Sequence, residues 1–74
     1  MGSAIKNYVK TKEVNITARE MEVLKLLRRG LSTREIAERM EISFNTVETH
    51  RKKMLRKFRA KNTAEMMVKA IGFF

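Results

Sequence analysis

The 74-residue chain contains no cysteine, no proline and no tryptophan, and only one histidine. Without cysteine there can be no disulfide framework, no thiol nucleophile and no thiolate metal site, and nothing in the sequence reports on redox compartment. A lone histidine, His50, has no second member for a metal site or a histidine-based triad. It is read as packing near a helix crossing. No nucleophile–base pair, metal-ligand spacing or phosphate loop is present, so the chain is not read as an enzyme, and no cofactor is expected. No apolar run approaches the ~18 residues of a membrane span, and the N-terminus lacks a secretory hydrophobic region. A soluble, cytoplasmic protein with no membrane partner is expected.

What the chain does have is positive charge. Seventeen Lys and Arg against eight acids leave a formal net charge of +9. Counterion release makes nucleic acid the natural partner of such a surface, although acidic proteins and anionic lipids would also be attracted. The distribution is polarised: Arg51, Lys52, Lys53, Arg56, Lys57, Arg59 and Lys61 follow one another with Glu48 as the single acid between Phe44 and Lys61. One basic face is what a phosphate-binding surface needs.

The length allows one domain with a small core, which must pack its helices efficiently. Residues 1–15 carry lysines but no clean helical stripe and read as a flexible N-terminal arm or linker. Three segments then open with capping-box spacing: Thr17 with Glu20, Ser32 with Glu35, and Asn62 with Glu65. Each precedes apolar residues at helical steps. Val23, Leu24, Leu27 and Leu31 follow the first, Ile36, Ala37 and Met40 the second, and Met67, Val68 and Ile71 the third. Gly30 is placed to end the first helix in the left-handed conformation, and Gly72 to close the last. Between the second capping box and the third, Val47, Met54 and Phe58 mark a longer helix whose N-cap is Ser43. The fold class is all-α: a four-helix, bundle-like domain over residues 16–74.

Residues 33–52 organise the rest. Glu41-Ile42-Ser43 is too short for anything but a tight turn, so two helices meet there, the second rich in basic and polar side chains. That is the description of a helix-turn-helix. Ala37 stands where the helices cross closely, and Ile42 plugs the angle between them.

With these segments in hand, the sequence resembles a known family. Residues 16–24 (ITAREMEVL), 30–37 (GLSTREIA), 42–50 (ISFNTVETH) and 62–65 (NTAE) resemble, in order and spacing, the LuxR/NarL-type (GerE-like) DNA-binding domain. The resemblance implies a bacterial transcription regulator that binds specific double-stranded DNA. Its third helix, about residues 44–58, would enter the major groove, and its fourth would form a homodimer contact. Such domains usually follow a receiver or ligand-binding domain, though standalone members of this size exist, and RNA polymerase is a further partner implied. No receiver-like acidic pocket can be built from this chain. Three positions depart from the family pattern: Arg59 where glycine is common, Thr63 where arginine is, and Phe58 where leucine is.

The family places base contacts near the start of the third helix, which carries over to Glu48, Thr49 and Lys52, with Asn45 at the helix entrance. Lys52 can donate to guanine O6/N7, Glu48 can accept from cytosine N4, and Thr49 can meet a thymine methyl. Glu48 has a rival role as the salt-bridge partner of Lys52. Phosphate contacts are expected from Ser32 and Thr33 at a helix N-terminus, and from Thr46, Arg51, Lys53 and Lys57 around the groove. On the fourth helix, Met67 and Ile71 are expected to face the core. Met66, Ala70 and Phe73 would then form the dimer surface. The competing function is a basic interaction module on an acidic protein or anionic membrane. Its outer face lacks the broad apolar surface that membrane insertion requires.

Overall fold

The structure, a computed structural model, describes residues 14–74. The arm expected over residues 1–15 therefore lies outside the described residues except at its last two positions. Four helices follow in order: α1 (Ala18–Arg28), α2 (Thr33–Met40), α3 (Phe44–Phe58) and α4 (Thr63–Lys69), with a 3-10 turn over Ile71–Phe73. No strand occurs among the described residues, so the class is all-α. The contacts divide into two compact units, one over Ile16–Met54 and one that includes Leu55–Phe74.

In the first unit, each helix start is fixed by its own side chains. The Thr17 hydroxyl accepts from the Glu20 amide at 3.1 Å, and the Glu20 carboxylate accepts from the Thr17 amide at 3.0 Å. Ser32 and Glu35 make the same reciprocal pair at 3.2 and 2.8 Å. For α3, the Ser43 hydroxyl accepts from the Thr46 amide at 3.0 Å. Each such cap contributes about 0.5–2 kcal/mol to its helix.

The helix ends are equally specific. Gly30 has φ 92°, and the amides of Gly30 and Leu31 return to the carbonyls of Leu27 and Leu26. This closes α1 with a Schellman motif. α2 ends the same way on a non-glycine residue, Glu41 at φ 57°, with Ile42 bonding back to the Ala37 carbonyl at 3.0 Å. The three-residue turn expected from Glu41 to Ser43 is thus formed. α1 packs on α2, and Val23, Leu24, Ile36, Ala37, Val47 and Met54 are buried. Burial at these spacings is what orients the outer face of α3.

In the second unit, α3 ends on Arg59, left-handed at φ 54°, and the Ala60 amide bonds to the Leu55 carbonyl at 2.9 Å. The Lys69 ammonium donates to the Arg59 carbonyl at 2.8 Å, a second hold on this bend. A side chain in the left-handed region costs roughly 1 kcal/mol relative to glycine. Replacing Arg59 with Gly is therefore expected to raise stability by up to about 1 kcal/mol, or about 4–8 °C in Tm for a domain of this size. Thermal unfolding followed by circular dichroism checks this; an unchanged or lower Tm would show that the bend carries no strain to relieve.

Three expectations for the fourth helix need correction. First, the capping box there is altered. Asn62 accepts from the Glu65 amide, but the Glu65 carboxylate reaches past it to the Lys61 amide. Second, the α-helix stops at Lys69, and Gly72 lies inside the 3-10 turn without a left-handed backbone. Third, the faces are differently placed: of the two residues expected to face the core, Met67 is half-buried and Ile71 is exposed. Met66 and Ala70, expected on a dimer surface, are both 0% exposed, whereas Val68 and Ile71 are each 67% exposed. Phe73 is half-buried and packs edge-on against Phe58 at 5.6 Å between ring centres. The face shared by Met66, Ala70 and Phe73 is thus the inward one, with the ring contact at its end. Both faces are apolar, so helical spacing alone could not choose between them.

Candidate nucleic-acid interface

The buried positions of α3 fix what faces outward. With Val47 and Met54 at 0% exposure, Asn45, Thr49, Lys52 and Lys53 lie on the opposite side, and all four are exposed. Steps of four and three residues place Asn45, Thr49 and Lys52 in a single stripe, and Lys53, about 100° further round the helix, borders it. Thr49 bonds its hydroxyl back to the Asn45 carbonyl at 2.9 Å, so the hydroxyl is spent within the helix. Lys52 and Lys53 enter no salt bridge among the described residues. Arg56 follows Lys52 by four residues on the same unbroken helix and continues the stripe by spacing. It was not among the expected contacts, although its distance from Asn45, Thr49 and Lys52 makes it visible in the sequence.

Glu48 and Arg51 stand apart from this stripe. Both Glu48 oxygens are engaged: Arg51 donates to them at 2.7 and 3.2 Å, and the Thr33 hydroxyl donates to one at 2.7 Å. The two side chains retain 20% and 26% of their exposure. The bonds from Arg51, then Thr33, hold the Glu48 carboxyl below the usual carboxylate range, and Glu48 in turn raises the Arg51 guanidinium. The salt-bridge partner of Glu48 is thus Arg51, three residues on, while Lys52, four residues on and expected in that role, acts on the carboxylate only through its charge. Thr33 begins α2, so this triad ties the start of α2 to α3.

The N-terminus of α2 is also partly occupied. The Ser32 amide and hydroxyl both serve the capping box. Glu35 is held anionic there, its carboxyl lowered chiefly by the Ser32 backbone bond and next by the Ser32 side chain. Helix geometry leaves the Thr33 and Arg34 amides without intrahelical acceptors, and these are what α2 offers a phosphate. Thr46 is exposed, with its hydroxyl 2.8 Å from that of Ser43. Lys57 is half-buried and lies in the unit beyond Met54, as does Arg56. His50 is half-buried.

A turn of three residues, a capped second helix and a cationic outer stripe make up a DNA-reading helix-turn-helix. Comparison with known proteins decides its family: the match to bacterial regulatory proteins of the luxR family covers residues 14–70. The chain belongs to the luxR family. Among similar luxR-type proteins, the nitrate/nitrite response regulator protein NarL of Escherichia coli is 41% identical over 58 residues, covering 77% of this chain and 27% of NarL. The C4-dicarboxylate transport transcriptional regulatory protein DctR of Rhodobacter capsulatus is 45% identical over 47 residues, 64% of this chain and 24% of DctR. The methanol utilization control regulatory protein MoxX of Paracoccus denitrificans is 38% identical over 64 residues, 86% of this chain and 29% of MoxX. The chain thus spans under a third of these relatives. Its function is that of the family's domain, DNA binding in transcription regulation.

Within this luxR-family domain the Glu48 triad makes a sharp expectation. Glu48→Gln removes a negative charge from α3 and loosens Arg51, whose guanidinium is then expected to reach phosphate. Affinity for all DNA sequences is expected to rise, with the salt slope steeper by about 0.9, the value of one added phosphate contact. The fold is expected to weaken by about 1–2 kcal/mol, as charge-assisted hydrogen bonds are lost. Because the folded carboxyl lies below its ordinary value of 4.5, the triad's stabilisation is complete above that value. It is lost as pH falls through the lowered one. Urea unfolding from pH 3 to 7 checks the second half, and a pH trend identical in Glu48→Gln would remove Glu48 from it.

Proposed function

We propose that this domain reads specific double-stranded DNA by laying the first three turns of α3 in the major groove. Asn45, Thr49 and Lys52 meet base edges. Lys53, Arg56 and Lys57, with the Thr33 and Arg34 amides, meet phosphates. The observation that carries this is the exposed surface opposite Val47 and Met54, in which neither Lys52 nor Lys53 enters a salt bridge. Thr49, its hydroxyl bonded inward, offers its methyl to thymine. Glu48 and Arg51 act chiefly on each other, and Glu48 fixes the start of α2 rather than selecting a base. Among the described residues no helix is long and apolar enough to cross a membrane. The proposed setting is the cytoplasm, where a transcription regulator meets DNA and RNA polymerase. Selection of bound duplexes from random DNA, set against co-sedimentation with anionic liposomes, tests the reading. Enrichment of one sequence motif without liposome binding supports it; liposome binding with no enriched motif would refute it.

A homodimer through α4 is part of the same proposal, on the corrected face. Val68 and Ile71, three residues apart and largely exposed, form the apolar strip available to a second copy. So small a strip falls well short of a standard interface of roughly 1,600 Å². The dimer is therefore expected on paired half-sites, about 34 Å or a multiple apart, rather than in free solution. Val68→Glu is expected to abolish cooperative binding to paired half-sites while leaving single-site affinity and helicity unchanged. Titrations on one-site and two-site duplexes check it, and unaltered cooperativity would take Val68 out of the contact. Met66→Glu, by contrast, would unfold the domain by burying an unpaired charge.

A further inference from the structure

A second charged surface lies on α1 and α2, away from the stripe on α3. Arg19, Lys25, Arg29 and Arg39 surround a groove of about 500 Å³ whose apolar lining is Leu26 and Met40. That volume lies within the ~300–1,000 Å³ typical of binding clefts. Its one acid, Glu22, is already bonded to Arg19 at 3.1 Å. No salt bridge among the described residues involves Lys25, Arg29 or Arg39. Leu26 and Met40 are half-buried, so an apolar floor remains open between the cations.

We infer that this groove docks an acidic protein segment carrying one large apolar side chain, with the apolar group over Leu26 and Met40 and its flanking carboxylates on Lys25, Arg29 and Arg39. The charge pattern selects for acid, since the rim holds three cations beyond the Arg19–Glu22 pair. The floor selects for protein over DNA. A phosphodiester backbone has no group to place on leucine and methionine, and an adaptable methionine suits an inserted side chain. The use of the groove would be regulatory contact made while α3 remains on DNA, because none of its lining residues belongs to the proposed base- or phosphate-contacting set.

The test uses the full chain, isotope-labelled, at about 0.15 M salt, where charges beyond about 8 Å are screened. The probe is a synthetic peptide of alternating Glu and Asp around one central Leu. A control peptide has Ser in place of that Leu. Expected are amide shift changes confined to Leu26, Arg29, Arg39 and Met40 and their neighbours. Binding should weaken at least tenfold with the Ser peptide and in the Arg29→Gln/Arg39→Gln double variant. DNA affinity of that variant should stay within about threefold. Equal binding of both peptides, or shifts centred on Thr49, Lys52 and Lys53, would overturn the proposal. Loss of DNA affinity by tenfold or more in the double variant would also overturn it and assign the groove to the phosphate backbone.

Discussion

Raising salt from 50 to 200 mM is expected to weaken DNA binding by roughly 10²-fold. Each phosphate neutralised releases counterions and adds about 0.9 to the log–log slope of affinity against salt. The cations of α3 set the count. Lys53, Arg56 and Lys57 on phosphates, with Lys52 adding its charge within the groove, supply about four cationic contacts per monomer, whereas Arg51 is balanced by Glu48 at 2.7 Å. Four contacts give a slope near −3.6, and a fourfold rise in salt then reduces affinity about 150-fold. The triad therefore places the slope at the lower end of what the net charge of +9 alone would suggest. Titrations across a salt series measure it. A slope shallower than about −2 would contradict an interface built on these cations, and one steeper than about −6 would require basic surface beyond α3.

Much of this architecture was legible in the chain because local rules agree with one another. The boxes at Thr17 and Ser32, the cap at Ser43 and the glycine at position 30 each fix a helix boundary through contacts within a few residues. The inward faces of α1 to α3 followed from apolar spacing against a charged background. α4 was not legible in the same way. Met66 and Ala70 compete with Val68 and Ile71 as apolar faces, and the inward one ends in the Phe58–Phe73 ring contact, fifteen residues apart in sequence. The candidate site divides similarly. Exposure of Asn45, Thr49, Lys52 and Lys53 could be read from helical phase. The capture of Glu48 by Thr33 depends on where α2 begins relative to α3, which phase does not encode, whereas Arg51, three residues on in the same helix, was within reach by spacing. Chemically Glu48 could have accepted from a cytosine; geometrically it has other partners.

Lys52→Ala is expected to weaken binding to the preferred sequence by roughly 1–3 kcal/mol, about 5- to 150-fold, and to relax preference at one base position. Lys52 is exposed in the stripe and is proposed to donate to guanine O6 and N7. Truncation removes that donor, and a competitor base is then penalised no more than the correct one. Lys57 provides the contrast. Half-buried near the C-terminal end of α3, it is proposed to meet only phosphate. Lys57→Ala should therefore lower affinity for every sequence by a similar factor and reduce the salt slope by about 0.9. Base-by-base binding profiles of the two variants beside the unaltered protein test the reading surface of α3 most directly. The expected result is a flattened preference at one base position for Lys52→Ala and an unchanged, uniformly weakened profile for Lys57→Ala. Identical profile changes in both variants, or an unaltered profile in Lys52→Ala, would contradict the assignment of this helix face to sequence recognition.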